Sequence, residues 1–277
     1  MKKYLVIGNP IEHSLSPTIH NYWMKKYCLE DSIYEKRKVE EKELKNIIEE
    51  IREDKIIGVN VTIPFKKLII PFLDKLDFSA EETQSVNTLF KINNKIIGYN
   101  TDRNGFWETI KELYPQSEDS SARPLEDKNI FILGAGGVTS SIISALKLLG
   151  ANNIILSNRT KSKADKLKKL FPELEILDWG KRPMVCNIVI NTTSIGLTKG
   201  EEIKIDFSDH DKNFHKNFLF YDLIYNPKET NFLKKARLRG NKTMNGKKMF
   251  LNQAKYAFNI WTSIMPEIND EVIKLLD

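Results

Sequence analysis

The sequence predicts an α/β protein with two domains, and three features of the chain indicate this fold class. Short apolar runs typical of strands alternate with stretches of helical periodicity along most of the 277 residues. Near the middle of the chain, the glycine turn Gly134-Ala135-Gly136-Gly137 separates an apolar run from a helix-like stretch. A polar stretch at residues 115–128, rich in Ser, Asp and Pro, marks a change to a more regular pattern and is a candidate boundary.

The first half of the chain is expected to form a mixed sheet with helices. The predicted helices cover residues 17–27 and 41–52, and the predicted strands cover residues 4–7, 56–61, 88–92 and 95–98. Asn93-Asn94 lies between the last two runs, and asparagine favours the positive φ angles of a tight hairpin turn. We therefore expect an antiparallel pair of strands at the edge of this sheet.

The second half reads as a regular βαβ series. The predicted strands cover residues 130–133, 154–157, 175–177, 188–191 and 218–222, with helices at 138–149, 163–170, 230–238 and 249–264. Such connections predict a parallel, doubly wound sheet of the Rossmann type. The last helix is amphipathic and aromatic, and we expect it to return to the first domain.

Domain borders follow from these patterns. We place one domain at residues 1–103, completed by residues 244–277, and the other at residues 104–243. The chain is expected to cross between them at residues 100–104 and 240–246, with relative movement of the domains.

Composition excludes several classes of protein. The net charge is +6, but lysines and glutamates are interleaved, as at residues 40–45, so the charge indicates solvated helix faces and no nucleic-acid partner. Cys28 and Cys186 are far apart and belong to no metal-ligand spacing, so we expect buried free thiols. The chain shows no apolar stretch of the ~20 residues that span a bilayer, and its first apolar run is too short for a secretory signal. We expect a cytoplasmic protein without a membrane partner.

The glycine turn predicts a dinucleotide site. A strand, a glycine turn and a helix in this order place backbone N–H groups and the positive end of the helix where a pyrophosphate can bind. The motif alone is weak, because Thr139 occupies its third glycine position. The next strand ends in Asn158-Arg159-Thr160, with Lys163 following, where NAD-binding proteins carry an acidic residue. A guanidinium and an ammonium favour the 2′-phosphate of NADP, although Thr160 as a helix N-cap followed by surface lysines is an alternative.

Three polar motifs precede the glycine turn. They contain Ser14 and Ser16, then Asn60 to Lys66, then Asn100 to Asp102. Each has an ordinary structural interpretation: Ser16 as an N-cap before Pro17, Lys66 as a solvent-facing side chain, and Asp102 as a helix cap. Taken singly, none of them identifies a function.

Together with later motifs, they resemble the shikimate dehydrogenase family in residue type, order and spacing along essentially the whole chain. The motifs that carry the resemblance are residues 8–17 with His20 and Asn21, 60–66, 86–88, 100–102, 134–137, 158–160, 191–196, 221–222, 225–227, and 245–246 with Gln253.

The resemblance implies NADPH-dependent, reversible reduction of 3-dehydroshikimate to shikimate in chorismate and aromatic amino acid biosynthesis, without a metal, by a monomer or homodimer. It implies that Ser14 and Ser16 bind the substrate carboxylate with help from Tyr225, and that Thr62, Asn87 and Gln253 bind the ring hydroxyls. Lys66 and Asp102 would act at the reacting carbon. The cofactor would contact Gly134, Ala135, Gly136, Gly137, Val138, Asn158, Arg159, Thr160, Lys163, Thr192, Thr193, Ser194, Leu223 and Gly246.

The chemistry agrees with these residue types. Hydride addition to a carbonyl carbon leaves negative charge on oxygen, which an ammonium group can stabilise and protonate. A carboxylate beside Lys66 keeps it charged, so Lys66 acts either as an acid/base or mainly by position and charge. Gln84 and Arg103 depart from the family, which usually has glycine at both positions. Two alternatives remain at this stage: an NAD-preferring quinate/shikimate dehydrogenase, and a catalytically silent NADP-binding protein.

Overall fold

A computed structural model describes residues 1–116, 123–198, 200–207 and 218–276. The chain divides into two compact units, Met1–Phe106 with Phe250–Asp277 (unit 1) and Trp107–Met249 (unit 2). The borders of these units lie at 106/107 and 249/250, whereas the sequence suggested 103/104 and 243/244. The first border also precedes the polar stretch at residues 115–128, of which residues 117–122 lie outside the described part.

The twelve strands found in the described part of the chain form two sheets of six. Unit 1 contains β1 (Lys2–Gly8), β2 (Ser32–Lys38), β3 (Gly58–Val61), β4 (Lys75–Leu76), β5 (Thr88–Ile92) and β6 (Lys95–Tyr99). Unit 2 contains β7 (Asn129–Leu133), β8 (Asn153–Ser157), β9 (Glu175–Leu177), β10 (Ile188–Asn191), β11 (Leu219–Asp222) and β12 (Lys242–Met244).

The α-helices in the described residues are α1 (Ser16–Lys26), α2 (Leu44–Arg52), α3 (Phe78–Thr83), α4 (Thr101–Leu113), α5 (Thr139–Leu148), α6 (Lys161–Leu170), α7 (Asn231–Leu238), α8 (Lys247–Thr262) and α9 (Asp270–Lys274). Short 3₁₀ turns cover Glu41–Glu43 and Ile70–Phe72. No helix among the described residues is long and apolar enough to cross a membrane.

The sheet of unit 1 is mixed, as predicted. Its strand order is β2-β1-β3-β5-β6-β4. β1 pairs in parallel with β2 and β3, whereas β5 runs antiparallel to β3 and β6. The β5–β6 turn has φ angles of 48° at Asn93 and 62° at Asn94, which confirms the predicted hairpin.

Helices cover both faces of this sheet. On one face, α2 buries Leu44, Ile47 and Ile51 against the sheet core. On the other, α1 and α8 pack together, and Phe258 and Trp261 of α8 join a buried aromatic cluster. The Trp261 indole Nε1–H donates to the backbone oxygen of Leu89 on β5 at 3.0 Å. The predicted return of the last long helix to the first unit is therefore confirmed.

The sheet of unit 2 is parallel throughout, with the order β12-β11-β10-β7-β8-β9. β7 lies in the middle. Successive strands after β7 extend to one side, and then β10 returns to its other side. This reversal confirms the doubly wound Rossmann-type fold and creates a switch point between β7 and β10.

Two sequence expectations for unit 1 are wrong. Leu15, and not Ser16, is the N-cap of α1, because the helix already begins at Ser16. Cys28 is exposed, at a position after α1 where its φ is 56°, while Cys186 is a buried free thiol as expected. Both differences arise at the ends of α1, where the path of the backbone sets which residue is the N-cap and whether Cys28 is exposed. Composition does not reveal this path.

His20 is an unusual member of the core of unit 1. Its ring is fully buried and stacks on the Tyr34 ring at a centroid distance of 4.3 Å, and neither nitrogen has a hydrogen-bond partner among the described residues. Burial in this apolar environment lowers the pKa of the imidazole to about 3. The side chain is therefore neutral in the folded protein at any pH near neutrality.

The His20→Leu variant is expected to lose part of the acid sensitivity of folding. The unfolded chain takes up a proton on histidine at pH ~6.5, whereas the folded chain does not until the pH is far lower. Below pH ~6.5 the free energy of unfolding therefore falls by up to about 1.4 kcal/mol per pH unit on account of His20. Urea denaturation between pH 7.5 and 5 measures this slope.

His13→Leu is the matched control, because it removes an exposed histidine from the same unit. Its pH dependence is expected to follow that of the unmodified protein. Equal slopes in all three proteins would contradict the assignment to His20.

Candidate active site

The two predicted catalytic residues, 36 positions apart in the chain, meet in unit 1. The Lys66 Nζ lies 2.5 Å from Asp102 Oδ2. Their side chains are 12% and 9% exposed, so the ion pair is largely withdrawn from water. Lys66 follows β3, and Asp102 lies in the first turn of α4. The interpretation of Lys66 as a solvent-facing side chain is therefore wrong.

Asn100, and not Asp102, caps α4. The Asn100 Oδ1 accepts the backbone N–H of Arg103 at 3.1 Å, which satisfies one of the free donors at the start of the helix. Because Asn100 caps the helix, the Asp102 carboxylate is not needed as a cap and can pair with Lys66.

A chain of hydrogen bonds begins next to the predicted carboxylate-binding serines. Ser14 Oγ accepts the backbone N–H of Ser16 at 3.4 Å, and the Ser16 side chain interacts with Tyr34, which lowers the pKa of Tyr34 against the larger effect of burial. The Tyr34 hydroxyl donates to Asn60 Oδ1 at 2.7 Å. Burial raises the pKa of Tyr34 well above its usual value, so its hydroxyl keeps the proton that it donates.

The same chain continues to the start of α4. Asn60 Nδ2 donates to the Asn87 backbone oxygen and to Thr88 Oγ1, both at 3.0 Å. Asn87 Nδ2 donates to Thr101 Oγ1 at 2.9 Å, and Asn87 Oδ1 accepts the Thr101 backbone N–H at 2.8 Å. Thr101 precedes Asp102. The network therefore links Tyr34, Asn60 and Asn87 to the helix turn that carries the ion pair.

Thr62 and Gln253 belong to unit 1 but stand outside this network among the described residues. The half-buried Thr62 follows β3, and its backbone N–H donates to the Ile7 oxygen at 2.9 Å. Gln253 is half-buried on α8, and its Nε2 donates to the Phe250 oxygen one turn earlier at 2.9 Å.

Sequence reasoning missed four members of the network. Asn60, Thr88 and Thr101 lie inside motifs that the sequence analysis singled out, so their motif membership was a usable signal. Tyr34 lies on β2, a strand that the sequence analysis did not predict. No local pattern marks its hydroxyl as a partner of Ser16 and Asn60.

In unit 2, the glycine turn joins β7 to α5 as predicted. Gly134 has a φ of 106°, and a Cβ at this position would lie 2.7 Å from Thr192 Oγ1, so only glycine is tolerated. At Gly137, a Cβ would meet no atom within 4 Å. Open space therefore lies over the turn at the positive end of α5, which suits the approach of a phosphate.

The other predicted cofactor residues follow the carboxyl ends of neighbouring parallel strands, apart from Lys163 on α6. Val138 follows the turn after β7; Asn158, Arg159 and Thr160 follow β8; Thr192, Thr193 and Ser194 follow β10; Leu223 follows β11, as does Tyr225; and Gly246 follows β12. The carboxyl ends of parallel strands lie at one edge of a sheet, where doubly wound folds bind their ligands.

The basic cluster after β8 is exposed. Arg159 and Lys163 form no ion pair with any residue in the described ranges. Thr160 occupies the N-cap position of α6, but its side chain makes no capping bond. Asn158 instead joins the cluster to the glycine turn, because its Oδ1 accepts the Ala135 N–H at 3.0 Å. The cluster thus offers two unneutralised cations next to the glycine turn.

A buried carboxylate organises the loops after β10 and β11. Asp222 Oδ1 accepts the Asn191 side-chain amide at 3.0 Å and the Ile224 N–H at 3.1 Å, and Oδ2 accepts the Thr230 hydroxyl at 2.6 Å. Desolvation raises the pKa of Asp222 to about 6, against the opposing effect of these donors. Asn191 Oδ1 in turn accepts the Thr193 hydroxyl at 2.7 Å.

The remaining predicted residues differ in exposure. Thr192 is buried, and its Oγ1 donates to the Leu133 oxygen at 2.9 Å, whereas Ser194 is exposed. Gly246 packs so closely on Leu223 that a Cβ would overlap the Leu223 carbonyl group. Tyr225 is half-buried within unit 2, and burial raises the pKa of its hydroxyl.

Fold and site together define a class of protein. A Rossmann-type unit carries a glycine turn and a basic cluster at its ligand-binding edge, and an α/β unit carries a buried lysine–carboxylate pair. These are the features of a two-domain, dinucleotide-dependent oxidoreductase. Among the described residues, no group of three or more His, Cys, Asp or Glu side chains is placed to hold a metal ion.

Comparison with known proteins assigns the family. Residues 6–89 match the model of the shikimate dehydrogenase substrate binding domain, and residues 117–223 match the shikimate / quinate 5-dehydrogenase model. The chain is 51% identical over 276 residues to a Pelagibacter ubique protein named shikimate dehydrogenase (NADP(+)), covering 100% of this chain and 99% of that protein. The chain belongs to the shikimate dehydrogenase family.

Solved structures agree with this assignment. A shikimate dehydrogenase from Aquifex aeolicus has a TM-score of 0.86 at 36% identity, covering 100% of this chain and 97% of that one. A Thermus thermophilus shikimate 5-dehydrogenase in complex with NADP(H) and shikimate has a TM-score of 0.84 at 27% identity, covering 100% and 98%.

Proposed function

We propose that the protein catalyses the NADPH-dependent, reversible reduction of 3-dehydroshikimate to shikimate, a step of chorismate and aromatic amino acid biosynthesis. The observation that carries the proposal is the buried Lys66–Asp102 pair, with Nζ and Oδ2 2.5 Å apart, in a chain that matches its family along its whole length. Two observations speak against the NAD-preferring quinate/shikimate alternative: the basic residues Arg159 and Lys163 after β8, and the relatives that are named shikimate dehydrogenase (NADP(+)).

The substrate is a ring with a carboxylate and several hydroxyl groups, and unit 1 offers matching groups. The hydroxyls of Ser14 and Ser16 would donate to the carboxylate. Thr62, Asn87 and Gln253 would bind the ring hydroxyls. The buried network fixes the orientation of Asn87 before the substrate arrives, and such preorganisation reduces the entropy lost on binding.

Lys66 and Asp102 would act on the ketone. NADPH supplies a hydride to the carbonyl carbon. The Lys66 ammonium would face the carbonyl oxygen, stabilise the negative charge that develops on it, and donate the proton that completes the alcohol. Asp102 would hold Lys66 in position, aimed at this oxygen. Burial of the pair strengthens its electrostatic interactions, because the local dielectric constant is low.

The residues of unit 2 fit NADP. The open space at Gly137 and the start of α5 suit the pyrophosphate, and the exposed Arg159 and Lys163 suit the 2′-phosphate. Leu223 and Gly246 would lie on the nicotinamide side. We accordingly propose unit 1 as the substrate-binding domain and unit 2 as the NADP-binding domain. The cytoplasmic location and the monomeric or homodimeric state stay predictions.

A four-way assay tests the function. The protein is mixed with NADPH or NADH and with 3-dehydroshikimate or 3-dehydroquinate, and the cofactor absorbance is followed. Fast turnover is expected only with NADPH and 3-dehydroshikimate. No turnover with this pair, or faster turnover with NADH, would overturn the proposal.

Lys66→Ala is expected to lower kcat by about 10²- to 10⁴-fold, because the charge and the proton at the carbonyl oxygen are lost. Binding of NADPH, measured by fluorescence titration, is expected to stay unchanged. Lys67→Ala removes the neighbouring exposed lysine and is the matched control. Equal kcat values for the two variants would exclude Lys66 from the chemistry.

Arg159→Ala is expected to raise the KM for NADPH by about 10- to 100-fold, since hydrogen bonds between charged groups are worth ~1.5–3 kcal/mol. The KM for NADH is expected to change little, because NADH lacks the 2′-phosphate. Lys166→Ala on α6 removes the same charge farther along the helix and is the control. A parallel rise of both KM values would place Arg159 outside the phosphate site.

A further inference from the structure

Arg103 follows Asp102 directly, and its side chain turns to α3. Its Nη1 lies 2.8 Å from Glu82 Oε2, and its guanidinium carbon lies 5.3 Å from the centre of the Phe78 ring. The Arg103 side chain is only 13% exposed, and its buried Nε has no hydrogen-bond partner within the described ranges. The guanidinium is therefore anchored on α3.

This location is electrostatically unfavourable without the anchor. Arg103 lies in the first turn of α4, where the helix dipole disfavours a cation. Glu82 supplies the compensating charge, and the Phe78 ring supplies a cation–π contact. The free energy cost of burying the Arg103 guanidinium is thus offset only while the first turn of α4 stays in contact with α3.

Asn100 ties the same two elements together. Its backbone N–H donates to Ser79 Oγ at 2.9 Å, and its Nδ2 donates to Thr83 Oγ1 at 2.8 Å. Both partners belong to α3. Since Asn100 also caps α4 through the Arg103 N–H, the first turn of α4 rests on α3 at Asn100 and at Arg103.

The segment that follows α3 holds the other member of the ion pair. The Val86 N–H donates to the Lys66 backbone oxygen at 2.8 Å, and the Ser85 oxygen accepts Asn100 Nδ2 at 2.8 Å. Residues 78–86, which we name the bridging segment, therefore contact both the backbone of Lys66 and the helix turn of Asp102.

From this connectivity we propose that Arg103 is a positioning residue for the Lys66–Asp102 pair, acting through Glu82 on the bridging segment. The proposal rests on the proposed function for its consequence in catalysis. If the Arg103–Glu82 contact is lost, the first turn of α4 loses one of its two attachments to α3. The carboxylate of Asp102 then no longer has a fixed distance to Lys66, whose backbone the same segment holds.

Steady-state kinetics of four variants test the proposal. Arg103→Met keeps the aliphatic stem and removes the charge, while Glu82→Gln keeps Arg103 and removes its partner. Each is expected to lower kcat about 10-fold, with the KM for NADPH unchanged. The double variant is expected to be no slower than either single variant, because the two residues act as a unit. Arg103→Lys is expected to restore part of kcat.

Arg52→Met is the matched control. The Arg52–Asp74 ion pair, with Nη2 and Oδ1 3.0 Å apart, also belongs to unit 1, where it joins α2 to the residue before β4, and both of its residues lie outside the bridging segment. This variant is expected to keep the kcat of the unmodified protein. A general effect of losing an ion pair in unit 1 would lower kcat in this variant as well, and would overturn the proposal.

A readout independent of turnover separates this proposal from the proposed function. Crystal structures of the unmodified protein and of Glu82→Gln measure the distance from Lys66 Nζ to Asp102 Oδ2. A separation beyond 4 Å in the variant supports the positioning role even if the unmodified protein reduces no 3-dehydroshikimate. An unchanged distance, or Arg103→Met and Glu82→Gln variants with full kcat, would overturn the positioning role while the enzyme assignment stands.

Discussion

The ion pair between Lys66 and Asp102 is the interaction on which the rest of unit 1 depends. Each partner is about one-tenth exposed, and a charge that is largely removed from water is destabilising unless an opposite charge and further hydrogen bonds compensate it. The two residues must therefore be brought together by the surrounding structure. That structure is the buried network from Tyr34 to Thr101, and the helix cap at Asn100.

Unit 2 also contains a buried charge that must be compensated, and there hydrogen-bond donors compensate it. Asp222 is a buried carboxylate without a cation partner among the described residues, and three hydrogen-bond donors stabilise it. Desolvation still dominates, and its pKa rises to about 6. Through these hydrogen bonds, the Asp222 side chain holds the loops after the adjacent strands β10 and β11 at the ligand-binding edge. The exposed Arg159, by contrast, has no ion-pair partner in the part of the chain that the structure describes, which is the state expected of a residue that binds an anion.

Much of the fold was predictable from the sequence. The central strands of unit 2 are buried on both faces, so they read as continuous apolar runs, and the predicted ranges differ from the structure by one residue at most. β2 was missed because its sequence, Ser-Ile-Tyr-Glu-Lys-Arg-Lys, is polar at an exposed sheet edge. α4 was missed because its polar first turn carries site residues and a cation against the helix dipole. Both misses reflect tertiary context overriding local propensity.

What the sequence determined by itself is the chemistry: which polar groups are present, in which order, and the glycine turn that predicts a dinucleotide. These follow from residue identity and short spacing, which a linear chain displays directly. Tertiary structure alone decided the partners. Asp102 pairs with Lys66, whereas Asn100 caps α4. Tyr34 interacts with Ser16, and Arg103 pairs with Glu82. Such pairs lie 18 to 36 residues apart, and only the packing of sheets and helices sets the distances between them.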